Sequence, residues 1–118
     1  MKAFALYARL LVVVIAAQFY AAGLAIFGAT SFVPHAITGW SFIVLSLVLV
    51  VWAIASRSRR ELAWLAIGVL LLAISQPVIV FGLRRWPPAA ALHPVVGLAI
   101  AVLLIVVTRR ARLVAAHP

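Results

Sequence analysis

The residues of this chain that could do chemistry recur as one pattern: a glutamine, a histidine 17 positions later and a glycine four positions after the histidine. Imidazole nitrogens bind metals and exchange protons, and a glycine one helical turn from a ligand leaves space for a bound group. Polar residues are scarce here, so the return of the pattern at an offset of 58 residues indicates a duplicated two-helix unit. The two copies are Gln18, His35 and Gly39, and Gln76, His93 and Gly97.

Composition places these residues in a membrane protein. Hydrophobic residues fill 69% of the 118 positions and the mean hydropathy is +1.32, whereas soluble domains use roughly 45–50% apolar residues. The length suffices for one bundle and no linker divides it, so we expect a single domain over residues 1–118. The absence of cysteine excludes thiol catalysis, disulfides and thiolate-bound metals from this chain, which leaves histidine as its soft-metal ligand.

Four apolar runs follow one another at about 4–29, 33–56, 62–83 and 89–108. Each approaches the roughly 20 residues that a helix needs to cross a bilayer. We therefore predict an all-α fold: an integral membrane up-down-up-down four-helix bundle made of two duplicated two-helix units.

Prolines modify two of these helices. Pro77 lies inside the third run, where it should kink the helix. Pro94 leaves two alternatives open. Either the fourth helix starts late, near Ala91, so that Pro94 lies in its first turn, or it begins at Pro88 and kinks.

Charge distribution predicts the orientation of the bundle. The net charge is +9, but the basic residues stand at the ends of apolar runs, which indicates sorting across the membrane rather than nucleic-acid binding. Ser58 forms an S-x-x-E capping box with Glu61, the single acidic residue, which is not expected to be catalytic. The arginine-rich side should be cytoplasmic, together with both termini. It carries Lys2, Arg9, Arg57, Arg59, Arg60, Arg109, Arg110 and Arg112, and only Arg84 and Arg85 fall on the outer side.

The two histidines are predicted to face each other. A parallel repeat implies a pseudo-two-fold axis along the membrane normal, which places His35 and His93 at one depth near the outer face, on diagonal helices. Two nitrogen ligands are too few for zinc but suit a haem iron, and Gly39 and Gly97 would clear room for the macrocycle. The alternative is that each histidine only bonds to a carbonyl or to water.

Gln18 and Gln76 are predicted to be structural. They lie roughly ten residues, or about 15 Å, below the outer boundary, which is too deep to reach an iron bound by the histidines. Each is expected to form an interhelical hydrogen bond worth about 0.6–2 kcal/mol.

The sequence resembles a family of small bacterial four-helix membrane proteins known only as a domain of unknown function. At the level of the histidine motif it is also similar to the haem-binding four-helix bundles of b-type cytochromes and haem A synthase. Bundles with two haems usually place a second histidine about four turns along the same helix, where this chain has Leu49 and Val107, so this resemblance implies one haem b at most. The family resemblance rests on Gln18, His35, Gly39, Gln76, Leu92, His93, Pro94 and Gly97.

These features predict a multi-pass protein of the bacterial inner membrane that binds one haem b through His35 and His93, for electron transfer or haem handling. We do not expect it to be an enzyme by itself. Arg84 and Arg85 would pair with the haem propionates, although lipid phosphates are equally suitable partners. The alternative function is a structural or assembly subunit of a larger membrane complex, without a cofactor. The lipid bilayer is the expected partner, with other membrane subunits or a homo-oligomer as further ones.

Overall fold

The computed structural model describes residues 1–56 and 59–116, and every regular element within them is helical. Arg57, Ser58, His117 and Pro118 lie outside the described residues. The capping box predicted for Ser58 and the positive charge predicted for Arg57 therefore lie outside them too. The helices are α1 (Lys2–Ile26), α2 (Val33–Ala55), α3 (Arg60–Pro77), which continues as a π-helical segment (Val78–Gly82), the short α4 (Pro87–Ala90) and α5 (Leu92–Ala116).

Four helical stretches of the described chain are long and apolar enough to cross a membrane. They comprise 23 to 30 residues, and their most apolar windows have mean hydropathies of 2.0 to 2.6, which meets the roughly 20 residues that a bilayer requires. Apolar side chains also point outwards: Leu6, Val13 and Val44 are each more than half exposed. The predicted all-α bundle of four membrane-spanning helices is confirmed, with an outer surface suited to lipid.

The first and last helices depart from the predicted bounds. α1 stops at Ile26, short of residue 29, and Gly28 follows with a φ of 75°, a left-handed conformation typical of helix ends. α5 continues to Ala116 rather than stopping at residue 108. The predicted end was wrong because it took the first arginines as a boundary, whereas arginine is a good helix former.

The two prolines act at different places. Pro77 ends α3, and the next turn, Val78–Gly82, is π-helical. Proline has no N–H to donate to the carbonyl of Ala73, so the helix widens where that bond is missing. Pro94 lies in the first turn of α5, which starts at Leu92 after the separate helix α4. Of the two alternatives for Pro94, the late helix start is confirmed.

The helices pack as an antiparallel ring. Within the described chain, α1 and α3 each pack against both α2 and α5, whereas α2 and α5 lie on a diagonal and their backbones do not approach each other closely. The start of α1 meets the end of α2, where Phe4 packs edge-on against Trp52 with ring centres 6.0 Å apart. The start of α3 meets the end of α5, where Glu61 and Arg110 form an ion pair of 3.4 Å. The up-down-up-down arrangement and the diagonal placement of the histidine-bearing helices agree with prediction.

The buried core repeats with the same offset as the polar motif. Along α1 and α2, a series of buried residues is spaced alternately four and three positions apart. For each of them, the residue 58 positions later in α3 or α5 is buried as well. Because burial of equivalent positions follows from equivalent packing, this supports the duplication of a two-helix unit. The pairs are Phe4 and Leu62, Ala8 and Ala66, Leu11 and Val69, and Ile15 and Ala73 in α1 and α3, and Phe42 and Ile100, Ser46 and Leu104, Leu49 and Val107, and Ala53 and Ala111 in α2 and α5.

The core is dense only in the arginine-rich half of the bundle. There, Leu11, Leu49 and Leu104 are at most 1% exposed, as expected of side chains packed to interior density. From Ile15 outwards along α1, the helices no longer fill the interior, and a cavity opens between them. The fold thus combines a packed half, which fixes the helices, with a hollow half.

Candidate cofactor site

A cavity of about 670 Å³ occupies the hollow half of the bundle. All four spanning stretches contribute to its mainly apolar wall. The polar side chains that the sequence analysis singled out lie together in this wall: Gln18 from α1, His35 from α2, Gln76 from α3 and His93 from α5. The volume falls within the roughly 300–1,000 Å³ range of small-molecule sites.

His35 is oriented by the backbone of α1. Its Nδ1 lies 3.0 Å from the carbonyl oxygen of Gln18, and because a carbonyl can only accept, this hydrogen bond requires the proton on Nδ1. Nε2 of the neutral ring then carries a free lone pair. Metal-bound histidines are held in this way, with one ring nitrogen donating to a carbonyl and the other bound to the metal.

The side chain of Gln18 is anchored by α2. The Thr38 hydroxyl donates to Gln18 Oε1 at 2.7 Å, and it also lies 2.8 Å from the Pro34 carbonyl oxygen. Gln18 is only 8% exposed, so this interhelical hydrogen bond fits the structural role predicted for the glutamine. Sequence reasoning did not assign Thr38 to the site, although its position three residues after His35 places both on one helix face.

The second copy of the motif lacks part of this network. His93 lies beside the backbone carbonyl of Gln76, but its Nδ1 makes no hydrogen bond to any described residue. Nε2 of Gln76 is likewise buried without a partner among the described residues. The residue that corresponds to Thr38 in the second copy is Val96, which has no hydroxyl group. Val96 therefore cannot make the side-chain hydrogen bond that Thr38 makes to the glutamine of the first copy.

The imidazole rings of His35 and His93 lie next to each other across the diagonal of the bundle. Their centres are 5.9 Å apart and their planes meet at 69°. Two imidazoles bound to opposite faces of one metal, with metal–nitrogen distances of about 2.0–2.1 Å, have ring centres roughly 6 Å apart. Each ring can rotate about its metal–nitrogen bond, so the angle between the planes is compatible with this arrangement. The observed separation suits a shared metal.

The predicted depth of Gln18 relative to the histidine was wrong. The 3.0 Å contact between His35 Nδ1 and the Gln18 carbonyl puts both residues at one level. Gln18 precedes the last residue of α1, Ile26, by eight positions, or about 12 Å along the helix axis. The C-terminal end of α1 therefore extends beyond the start of α2, and the connection 27–32 runs back towards the cavity. As a result, His35 lies deeper in the bundle than predicted.

The two glycines of the motif contact side chains of α1. A Cβ atom at Gly39 would lie 2.8 Å from Nε2 of Gln18, and one at Gly97 would lie 3.1 Å from the ring of Phe19. Both glycines line the cavity, but α1 takes the space directly beside them. Sequence reasoning missed Phe19, because a phenylalanine within an apolar run carries no distinguishing signal.

Arg84 and Arg85 lie in the connection between the π-helical segment and α4. Both are exposed and neither lines the cavity, although Val80 and Phe81 just before them do. The structure thus brings the arginines to the cavity end of the bundle without placing them at the histidines. Their pairing with haem propionates stays a prediction.

The donor set of the cavity suits haem better than a bare metal ion. No group of three or more histidine, cysteine, aspartate or glutamate side chains that could hold a metal ion occurs in the described part of the chain. Zinc sites use three or four protein ligands, whereas a porphyrin supplies four nitrogens and leaves two axial positions. The two neighbouring imidazoles, one of them already oriented through Nδ1, are the residues that would hold a haem.

Residues 18–83 match the model of a family described as a family of unknown function (DUF6220). The matched segment exceeds half of the 118-residue chain. The chain belongs to this family. The predicted membership of an uncharacterised family is thereby confirmed. The DUF6220 match contains Gln18, His35 and Gln76 and ends before His93. No curated protein matches this DUF6220 member significantly, and no solved structure does.

Proposed function

We propose that this DUF6220 protein binds one haem b between His35 and His93 within the membrane, for electron transfer or haem handling. The observation that carries the proposal is the pair of imidazole rings whose centres are 5.9 Å apart. These rings come from diagonal helices, so α1 and α3 flank the space between them. The cavity of about 670 Å³ around the rings is of the size used for small-molecule sites.

The chain would supply the ligands, their orientation and their apolar surroundings. His35 would bind through Nε2 while its Nδ1–H donates to the Gln18 carbonyl, a bond that raises the basicity of the ligand. His93 would be the second protein ligand. Haem, when bound, supplies one-electron redox chemistry. The mainly apolar wall would keep water away from it, which is one of the means by which proteins set a haem potential.

A structural or assembly subunit is the second candidate. It is favoured by the α1 side chains beside the two glycines, Gln18 at Gly39 and Phe19 at Gly97. In this case the histidines bond only locally, as His35 does with the Gln18 carbonyl. The exposed apolar helix faces would then contact other membrane subunits or a second copy of the chain in addition to lipid.

The charge pattern also supports a location. Basic residues gather at the end of the bundle that contains the start of α1, the start of α3 and the end of α5. By the positive-inside rule this end is cytoplasmic. We therefore place the protein in the bacterial inner membrane as a multi-pass protein with both termini in the cytoplasm.

Absorption spectra of the purified protein, oxidised and then reduced, test haem binding. We expect the spectrum of a low-spin, six-coordinate haem b in the wild type and its loss in His35→Ala and in His93→Ala. His117→Ala removes the third histidine of the chain and is the matched control, which should keep the wild-type spectrum. If protein produced with ample haem contains none, or if both cavity variants keep the wild-type spectrum, the haem proposal is wrong.

A further inference from the structure

A second cavity, of about 310 Å³, lies at the opposite end of the bundle, between the start of α1 and the end of α5. Three cationic side chains line it: Lys2 and Arg9 from α1 and Arg112 from α5. The remaining wall is apolar and includes Ala5 and Leu6. This site shares no residue with the histidine cavity, so what it binds is independent of haem.

The charges around the second cavity have no side-chain counterpart in the chain. Glu61 is the only acidic residue among 118, and it pairs with Arg110 at 3.4 Å. No side-chain carboxylate therefore remains for Lys2, Arg9 and Arg112. Like charges held close together repel one another, so an anion from outside the chain would stabilise this end of the bundle.

The apolar part of the wall indicates what kind of anion fits. Leu6 is 58% exposed and belongs to a helix that is apolar enough to span the membrane. The cations lie in the first two turns of that helix and near the end of α5, positions at which a membrane-spanning bundle is expected to meet lipid headgroups. A ligand that touches both parts of the wall must therefore carry an anionic group on an apolar tail.

We propose that this second cavity binds the phosphate of an anionic phospholipid, with an acyl chain of the lipid lying along Leu6. Arginine forms paired hydrogen bonds with phosphate oxygens, and basic pockets between membrane helices bind anionic headgroups. Free inorganic phosphate would pair with the cations but would not contact the apolar wall. A zwitterionic lipid would contact the apolar wall but carries no net charge to balance the cations.

Native mass spectrometry of the detergent-purified protein tests the proposal by titration with dioleoylphosphatidylglycerol or dioleoylphosphatidylcholine. We expect the wild type to bind the anionic lipid more tightly. Arg9→Gln combined with Arg112→Gln should weaken that binding roughly thirtyfold, as each basic residue near a membrane surface contributes about fivefold. The matched control, Arg59→Gln with Arg109→Gln, removes the same charge at the same end of the bundle from residues that do not line the second cavity, and it should bind as the wild type does.

Three results would overturn the proposal: equal affinity for the two lipids, an equal loss in both double variants, or complete displacement of the anionic lipid by millimolar inorganic phosphate. The last result would assign the cations to free phosphate. If the double variant does not fold, the single variants Lys2→Gln, Arg9→Gln and Arg112→Gln are measured instead. Each should weaken binding about fivefold, and wild-type affinity in all three would equally refute the site.

Discussion

His35 and His93 occupy equivalent positions in the two copies of the motif, but a hydroxyl group near the first histidine has no counterpart near the second. Thr38 bonds to Gln18 Oε1 at 2.7 Å in the first copy, whereas Val96 stands in its place in the second. A buried polar group without a partner costs free energy. The unpaired Nε2 of Gln76 therefore makes the second copy the weaker half of the cavity wall.

Exchanging the two residues tests this asymmetry. Thr38→Val should lower the free energy of unfolding by about 1 kcal/mol, because interhelical hydrogen bonds in membranes contribute roughly 0.6–2 kcal/mol. Val96→Thr should raise it by a similar amount, since a hydroxyl there could pair with the amide of Gln76. Val95→Thr is the control, because Val95 is 60% exposed and should change little. Unfolding in detergent measures all three, and a Val96→Thr variant no more stable than Val95→Thr would refute the interpretation.

At the scale of helices, the packing of α1 against α5 beside the cavity depends on Gly97. A Cβ atom there would lie 3.1 Å from the Phe19 ring, which is closer than ordinary van der Waals contact. Phe19 in turn lines the cavity between the two helices. Even one added methyl group should therefore push the ring, and with it α1, away from α5.

Gly97→Ala should consequently be less stable than a glycine-to-alanine change made elsewhere in a spanning helix. Gly23→Ala is the matched control, since a Cβ at Gly23 meets nothing within 4 Å. We expect a difference of about 1–3 kcal/mol in the free energy of unfolding between the two variants, the usual cost of overpacking. Equal stabilities would show that the Phe19 ring moves aside at no cost.

The connection after the π-helical segment carries Arg84 and Arg85 at the cavity end of the bundle. Replacing both by alanine should weaken haem retention or shift its reduction potential if they pair with the propionates, because two carboxylates near lipid need cationic partners. Arg59→Ala with Arg109→Ala removes the same charge at the other end and should leave both measurements unchanged. Wild-type haem content and potential in the Arg84 and Arg85 double variant would leave lipid phosphates as their partners.

At the scale of the whole molecule, charge sorting predicts how the bundle is inserted. The second and third spanning helices are joined on the arginine-rich side, where Arg59 and Arg60 lie, and α5 ends on that side with Arg112. A reporter fused after Pro118 should therefore be active only if it functions in the cytoplasm. A periplasmic reporter, fused at the same site, is the control. Activity of the periplasmic reporter would show that the predicted orientation is wrong and that the lipid site lies on the other side of the membrane.

The sequence by itself determined the class of the fold, the number of spanning helices and the duplication. Run length and hydropathy are local properties, and a bilayer selects helices by those properties alone. The repeat could be read from Gln18, His35 and their counterparts, because scarce polar residues stand out against an apolar background. The same repeat then reappeared in the buried core, for example in Leu49 and Val107.

Only the tertiary structure decided which groups meet in the cavity. The level of Gln18 relative to His35 depends on the course of the connection 27–32, which hydropathy does not constrain. The partners of Gly97 and Gln18, namely Phe19 and Thr38, depend on the rotation of α1 against its two neighbours. In a chain in which 69% of the residues are hydrophobic, that rotation is set by packing and by a few hydrogen bonds. These are contacts between residues distant in sequence, and they exist only once the four helices are assembled.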